Sequence, residues 1–465
     1  MGRVFEPRAP FRGKRCAGGD NVRPLRDRFT AAWAGKVPLA PCAPRSPQSA
    51  LAGVGRRSSV LAMSAVNPPN LMTEAMRWFG PADSVSLAEI RQTGATAVFS
   101  ALHDVPYGEA WPAEAIRRRK SEIEAAGLRW EVVESVPVSE AIKTRTGDWE
   151  RHCENYRLTL ARLGAAGVRV VVYNFMPVID WVRTDLAYRL PDGREALRYD
   201  PVQFAAFDLF ALGRPGAAED WGPDKVAAAA RLWEAHSSEA RAAFVRQTLD
   251  LFPGVRLGLT LEDFRAMLAR YGAITSDGLR ESLRAFLEAV LPAAEEAGVR
   301  LAIHPDDPPF PVLGLPRIVS TASDLAAIAG FSPLAANGFC FCTGSLGARA
   351  DNDLVGMVRA LGTRIHAVHL RSVERGADGS ICESGHLEGD VDMVGVVRAL
   401  LAEQRARLSA GRTDWQLCLR PDHGHRMLDD FRRAAPACPG YPLIGRMRGL
   451  SELRGVQRAL SAVDG

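Results

Sequence analysis

From residue 72 onward, short apolar runs alternate with amphipathic stretches at a regular interval. The apolar runs are Met76–Phe79, Thr96–Ala101, Arg129–Glu134, Val168–Asn174, Val299–His304, Gly338–Cys342, Ile365–Arg371 and Trp415–Arg420. Most are continuous or nearly so, as strands covered on both faces must be, and parallel strands of that kind need helical crossovers. Ala113–Ala126, Trp149–Ala166 and Ser282–Ala297 supply helical periodicity between them. Each stops at a glycine (Gly127, Gly167, Gly298) that leads into a VR- or LR-led strand. Eight repeats of one βα unit predict an α/β fold, a (β/α)8 TIM barrel. About 124 residues separate the fourth and fifth runs, and Glu219–Phe252 within them reads as helical. The pattern therefore predicts a helical insertion after strand 4, over about 181–280. A doubly wound open sheet is the alternative, but no glycine-rich dinucleotide fingerprint follows an early strand.

The predicted strand ends carry metal-ligand chemistry. His304 closes the fifth run, Cys342 closes the sixth, His369 lies near the end of the seventh, and Asp422 follows the eighth. Barrel enzymes build their sites at the C-terminal ends of the strands. Four successive units thus deliver an N, S, N, O donor set to one rim, suited to one divalent ion. Any one of these residues alone would more often be a core or surface residue; the recurrence at corresponding places is what points to a site. His366, three residues before His369, should face the opposite side of its strand. His152 and His236 should be solvated on helices, and His386 and His103 are candidates for lining the site.

Composition changes the picture mainly at the N-terminus. The chain has 465 residues, 47% hydrophobic and 24% charged, which excludes wholesale disorder. No uncharged apolar run approaches the roughly 18 residues of a transmembrane helix. The net charge of +4 divides into +9 over residues 1–71 and −5 over the remainder. The first 71 residues also hold nine prolines and seven glycines, so they cannot bury enough apolar surface to order themselves. They are expected to be a disordered basic extension to a catalytic domain over 72–465. A start chosen too early (Met63 or Met72 being the true one) is favoured over a targeting segment or a nucleic-acid arm, because aromatic interleaving is lacking. Eight cysteines in a chain this long, with no secretory apolar region, point to a reducing cytoplasm and free thiols.

Longer motifs carry a resemblance. WFGP (78–81), ESVPV (134–138), YNFMPVIDWVRTDL (173–186), HPDDPP (304–309) and CTGSLGARADNDL (342–354) resemble the mannonate dehydratase family. HLRS (369–372), HLEGDVDM (386–393), RPDHGH (420–425) and PGY followed by IGR (439–446) extend it to the C-terminus. The resemblance implies an xylose-isomerase-like barrel that removes water from D-mannonate to give 2-dehydro-3-deoxy-D-gluconate, in hexuronate breakdown, with Mn²⁺ or Fe²⁺. It implies His304, Cys342, His369 and Asp422 as metal ligands, and His423 and Tyr441 as the proton-transfer pair.

Abstracting the C2 proton pushes charge into a carboxylate that is already anionic, which a metal on that carboxylate would offset. Loss of the C3 hydroxyl then needs a proton donor. On the sequence alone Tyr441 is assigned as base and His423 as acid. Arg349, Arg371 and Arg420, beside the ligand motifs, are expected to clamp the anionic substrate, with Asn174 on its hydroxyls. His386 is placed in the same group. Trp181 and Arg183 are expected to form a wall or lid, and ADNDL (350–354) a helix cap. A sugar isomerase or epimerase on the same barrel is the alternative. The partner is a small sugar acid, with no nucleic acid and no membrane; a homo-oligomer remains open.

Overall fold

In the computed structural model, which describes residues 71–252 and 259–463, each of the eight apolar runs contributes one barrel strand. These are β1 (Thr73–Arg77), β2 (Ala97–Ser100), β3 (Arg129–Glu134) and β4 (Val170–Tyr173), followed after the insertion by four more. Two insertion strands, β5 (Asp185–Arg189) and β6 (Glu195–Tyr199), precede β7 (Arg300–Ile303), β8 (Asn337–Cys342) and β9 (Ile365–Leu370). A hairpin of β10 (Ser372–Arg375) and β11 (Ile381–Ser384) then precedes β12 (Cys418–Pro421). The barrel closes in the order β1-β12-β9-β8-β7-β4-β3-β2, every pairing parallel. The expected extension over 1–71 lies outside the described residues up to residue 70.

Strand periodicity builds the site. Ala75, Ala97, Phe99, Val132, Val172, Ala302, Cys340, Ala367 and Cys418 form one buried cluster, the layer of side chains filling the barrel. A strand returns to the same face every second residue. Two residues further along seven of the strands stand Arg77, Glu134, Asn174, His304, Cys342, His369 and Arg420. The interior layer is apolar and small; the next layer, at the C-terminal mouth, is polar. His366, on the opposite face of β9, is buried and bonds the Ala335 carbonyl at 3.1 Å.

The crossover helices hold the barrel from outside. Ser276–Glu296 is the longest in that stretch, with Leu279, Leu283, Phe286, Leu287, Val290, Leu291 and Ala294 buried at helical spacing. Phe286 meets Tyr156 edge-on at 5.0 Å and Tyr173 at 5.6 Å. Each such buried side chain contributes about 1.5–3 kcal/mol of transfer free energy. Gly127, Gly167 and Gly298 end their helices at φ of +74°, +78° and +64°, a region that side chains with a Cβ avoid.

The insertion departs from a purely helical excursion. Ala217–Ala235 and Ser238–Asp250 are helices, as expected, but the insertion opens with the hairpin β5–β6, turning at Pro191-Asp192-Gly193. That hairpin joins the later one in a four-stranded antiparallel sheet of order β10-β11-β6-β5. The edge that β6 offers is satisfied by β11, a partner some 180 residues away that no local pattern announces. Among the described residues no helix is long and apolar enough to cross a membrane.

Candidate metal centre and active site

A cavity of about 290 Å³ opens at the C-terminal mouth of the barrel, lined by the last residues of β1, β3 and β12 and by the segments that follow β1, β2, β3, β4, β7, β9 and β12. His304, in that lining, places one donor atom within 4.8 Å of donor atoms on Cys342 and His369, which lie behind it outside the lining. Cys342 and His369 are fully buried. His304 donates Nδ1–H to its neighbour's carbonyl at Pro305 (2.7 Å), which leaves Nε2 with a free lone pair. Ser345 donates its hydroxyl to Cys342 Sγ at 3.2 Å, the contact a thiolate would accept. His369 Nε2 lies 3.3 Å from Glu134 Oε2 without hydrogen-bond geometry and has no hydrogen-bond partner. A buried, orphaned imidazole nitrogen beside a thiol and a second imidazole fits a soft-to-borderline divalent ion.

Asp422 joins this group only through Cys342, with Oδ2 3.4 Å from Sγ. Its oxygens are also held by Arg420 Nη1 (2.6 Å) and Arg371 Nε (2.7 Å). Burial pushes its carboxyl up, but Arg420 and the other cations beside it hold it well below the usual range. The structure thus brings three of the four sequence-identified ligand residues together and sets the fourth against their edge.

Around these residues runs a buried ion network. Arg420 takes Glu134 with Nε and Nη2 (3.0 and 2.8 Å), and Arg371 takes Glu383 (2.8 Å) and Asp307. Arg183 also pairs with Asp307 and Glu383 (2.8 Å each), so it braces the cavity wall and is itself buried. Burial raises the Asp307 carboxyl, and Arg183 and Arg371 outweigh it, leaving a net lowering. Charges in this network compensate one another, which is what makes their burial tolerable.

His423 and Tyr441 both line the cavity and stand together, their rings 5.0 Å apart and edge-on. His423 Nδ1 lies 2.7 and 2.8 Å from the two oxygens of Glu383. Burial pushes the Glu383 carboxyl up, but His423, Arg371 and Arg183 bring it to about 2, so it is the acceptor and Nδ1–H the donor. Tyr441 packs edge-on against Phe79 at 4.9 Å. Burial pushes its phenol above the ordinary value, against the pull of Arg420. Gly440 makes the approach: at φ +82°, an added Cβ would sit 3.0 Å from the His423 ring. Trp181 faces His423 at 6.0 Å, and Asn174 donates to Asp180 at 2.6 Å, leaving its amide oxygen for a ligand.

Two sequence-assigned substrate residues fall elsewhere. Arg349 does not line the cavity; its guanidinium is held by Asp351 (2.9 and 2.5 Å) and the Pro309 carbonyl, because the carboxylate two residues on captures it locally. His386 is likewise outside the lining. It is buried against Gly449 of the C-terminal helix, where desolvation brings it to about 4. His103 lines the mouth. His152 and His236, expected to be solvated, are half-buried and bonded to Ser139 Oγ (2.7 Å) and the Leu232 carbonyl (2.6 Å). Asp353 caps the helix Leu354–Leu361, as the ADNDL reading expects. Sequence reasoning passed over Arg77, Glu134, Asp307 and Glu383. The first two were findable, since they continue the two-residue repeat from Ala75 and Val132.

Comparison with known proteins gives a consistent result. Residues 72–464 match the family model described as D-mannonate dehydratase (UxuA). A mannonate dehydratase of Chromohalobacter salexigens is 52% identical over 390 residues, covering 84% of this chain and 99% of that protein. One from Marinomonas sp. is 50% identical over 392 residues, covering 84% of this chain and all of its relative. Among solved structures, the mannonate dehydratase of Streptococcus suis serotype 2 superposes with a TM-score of 0.66 at 33% identity, over 85% of this chain and 95% of that one.

Proposed function

The chain belongs to the D-mannonate dehydratase family, and on that premise we propose that it removes water from D-mannonate at the cavity described above, giving 2-dehydro-3-deoxy-D-gluconate. The observation that carries this reading is the His304–Cys342–His369 donor group, half-buried at His304 and buried at the other two, with His304 lining the same small cavity as the His423–Tyr441 couple.

His304, Cys342 and His369, with Asp422 at their edge, would hold Mn²⁺ or Fe²⁺. When bound, such an ion supplies positive charge beside the substrate carboxylate while the C2 proton leaves. The remaining work belongs to the protein. Glu383 accepts from His423 Nδ1, so Nε2 carries the lone pair and takes the proton from C2. Tyr441, kept as a phenol by burial, gives its proton to the departing C3 hydroxyl. This exchanges the roles read from sequence: the carboxylate behind His423 makes it the base, and Tyr441 has no such partner. Trp181 packs against His423 and Phe79 against Tyr441, which fixes the orientation of the two rings. The six described cysteines are all free, which supports residence in a reducing cytoplasm.

Incubating metal-loaded protein with D-mannonate tests the reading. A 2-keto-3-deoxy acid that requires the metal is the expected product; an epimer or ketose without loss of water overturns it.

A further inference from the structure

Three arginines line the cavity, and they differ in how far the protein satisfies them. Arg371 is bonded through all three nitrogens, to Asp422, Glu383, Asp307 and Ser345. Arg420 is also bonded through all three, to Glu134 and Asp422. Arg77 is different. It is only 7% exposed, yet its Nε and Nη1 have no hydrogen-bond partner. Nη1 stands 3.2 Å from Glu134 Oε2 without hydrogen-bond geometry, and that oxygen already serves Arg420.

The guanidinium is nonetheless held in place. Its carbon lies 4.8 Å from the centre of the Phe79 ring, and the Arg77 carbonyl accepts from Arg446 at 2.7 Å. Its position on β1, two residues beyond Ala75, sends it into the cavity rather than into the wall. A buried cation with unmet donors is costly unless a ligand completes it. The same Glu134 oxygen touches both Arg77 Nη1 and His369 Nε2, so the cation stands close to the donor group.

Resting on the reading above, the geometry points to Arg77 as the residue that receives the substrate's carboxylate. Arg371 and Arg420, which the sequence singled out for that duty, instead hold the protein's own acids. A forked, fully charged donor set suits a planar carboxylate better than a hydroxyl. Arg77 thereby discriminates between an aldonic acid and the corresponding neutral polyol, and its hold tightens as proton loss from C2 loads the carboxylate with charge.

The test compares wild-type protein with Arg77→Ala and Arg77→Lys. D-Mannonate is the substrate, D-gluconate the anionic competitor and D-mannitol the neutral one. Loss of a charge-assisted contact should raise KM for mannonate and the gluconate inhibition constant roughly 10- to 100-fold. Mannitol inhibition and bound metal should stay unchanged. Arg77→Lys should fall between, and added guanidinium should restore part of the activity of Arg77→Ala. Should Arg77→Ala fail to fold, Arg77→Lys carries the comparison, with a several-fold rise in KM expected and mannitol again unaffected. Unaltered anion binding, or equal weakening for gluconate and mannitol, overturns the assignment. Gluconate binding measured by calorimetry reads Arg77 independently of turnover. Failure of wild-type protein to dehydrate mannonate would count against the functional reading alone.

Discussion

His423 and Glu383 meet at 2.7 Å although one stands just beyond barrel strand β12 and the other on strand β11 of the accessory sheet. Because β11 also pairs with β6 of the insertion, the sheet that the insertion completes is what aims this imidazole into the cavity. Glu383 is therefore a positioning residue. Its substitution by Gln should lower kcat at least about 100-fold and up to about 10⁴-fold, the upper figure being the loss when the carboxylate behind a general-base imidazole is replaced by its amide. KM and metal content should change little. Steady-state kinetics with metal analysis check this; a change confined to KM would be inconsistent with the role.

His423 and Tyr441 should separate by isotope exchange. If His423 takes the C2 proton and Tyr441 protonates the leaving hydroxyl, Tyr441→Phe should cut product formation about 100-fold or more. It should still wash deuterium from D₂O into C2 of recovered mannonate. His423→Asn should abolish both. Proton NMR of the recovered substrate distinguishes the two, and exchange surviving in His423→Asn but lost in Tyr441→Phe would restore the opposite assignment.

Cys342→Ser exchanges a soft sulfur donor for a weaker hydroxyl in a buried group with two imidazoles. Metal affinity should fall at least about tenfold, with little effect on melting of the metal-free protein. Metal retained after dialysis against a chelator, at the wild-type level, would remove Cys342 from the centre.

One surface pair gives a pH signature away from the site. The hydrogen bond from Arg433 holds the Glu89 carboxyl at about 2, against 4.5 for the free group. A lowered folded value means the pair stabilises fully above about pH 4.5 and fades as pH falls toward 2. Glu89 is about one-third exposed at the side chain (32%), so screening limits the contribution to roughly 0.5–1 kcal/mol. Arg433→Ala should therefore lower Tm at pH 7 by a few degrees at most, with the deficit shrinking below pH 4.5. A deficit that grows on acidification would contradict the sign.

Much of this arrangement was legible because strand periodicity and chemistry coincide. His304 and Cys342 end their apolar runs and His369 lies near the end of its own, so reading the runs located them. Arg77 was missed because the first strand was drawn over 76–79, which put Arg77 inside it; the strand in fact ends there. Glu134 ended its run in plain view, but a carboxylate among ESVPV carries no ligand signature by itself. Glu383 was beyond reach, since its position depends on β11 pairing with a strand from the insertion. Arg349 and His386 show the converse. Nearness in sequence to a functional motif does not carry a side chain to the cavity when a local carboxylate or a packed helix claims it.

X-ray absorption on the Mn²⁺- or Fe²⁺-loaded protein bears most directly on the central claim, that strand-end side chains from three neighbouring βα units surround one ion at the barrel mouth. One sulfur scatterer at thiolate distance, together with imidazole outer-shell scattering, is the expected result. A shell built only from oxygen would contradict it.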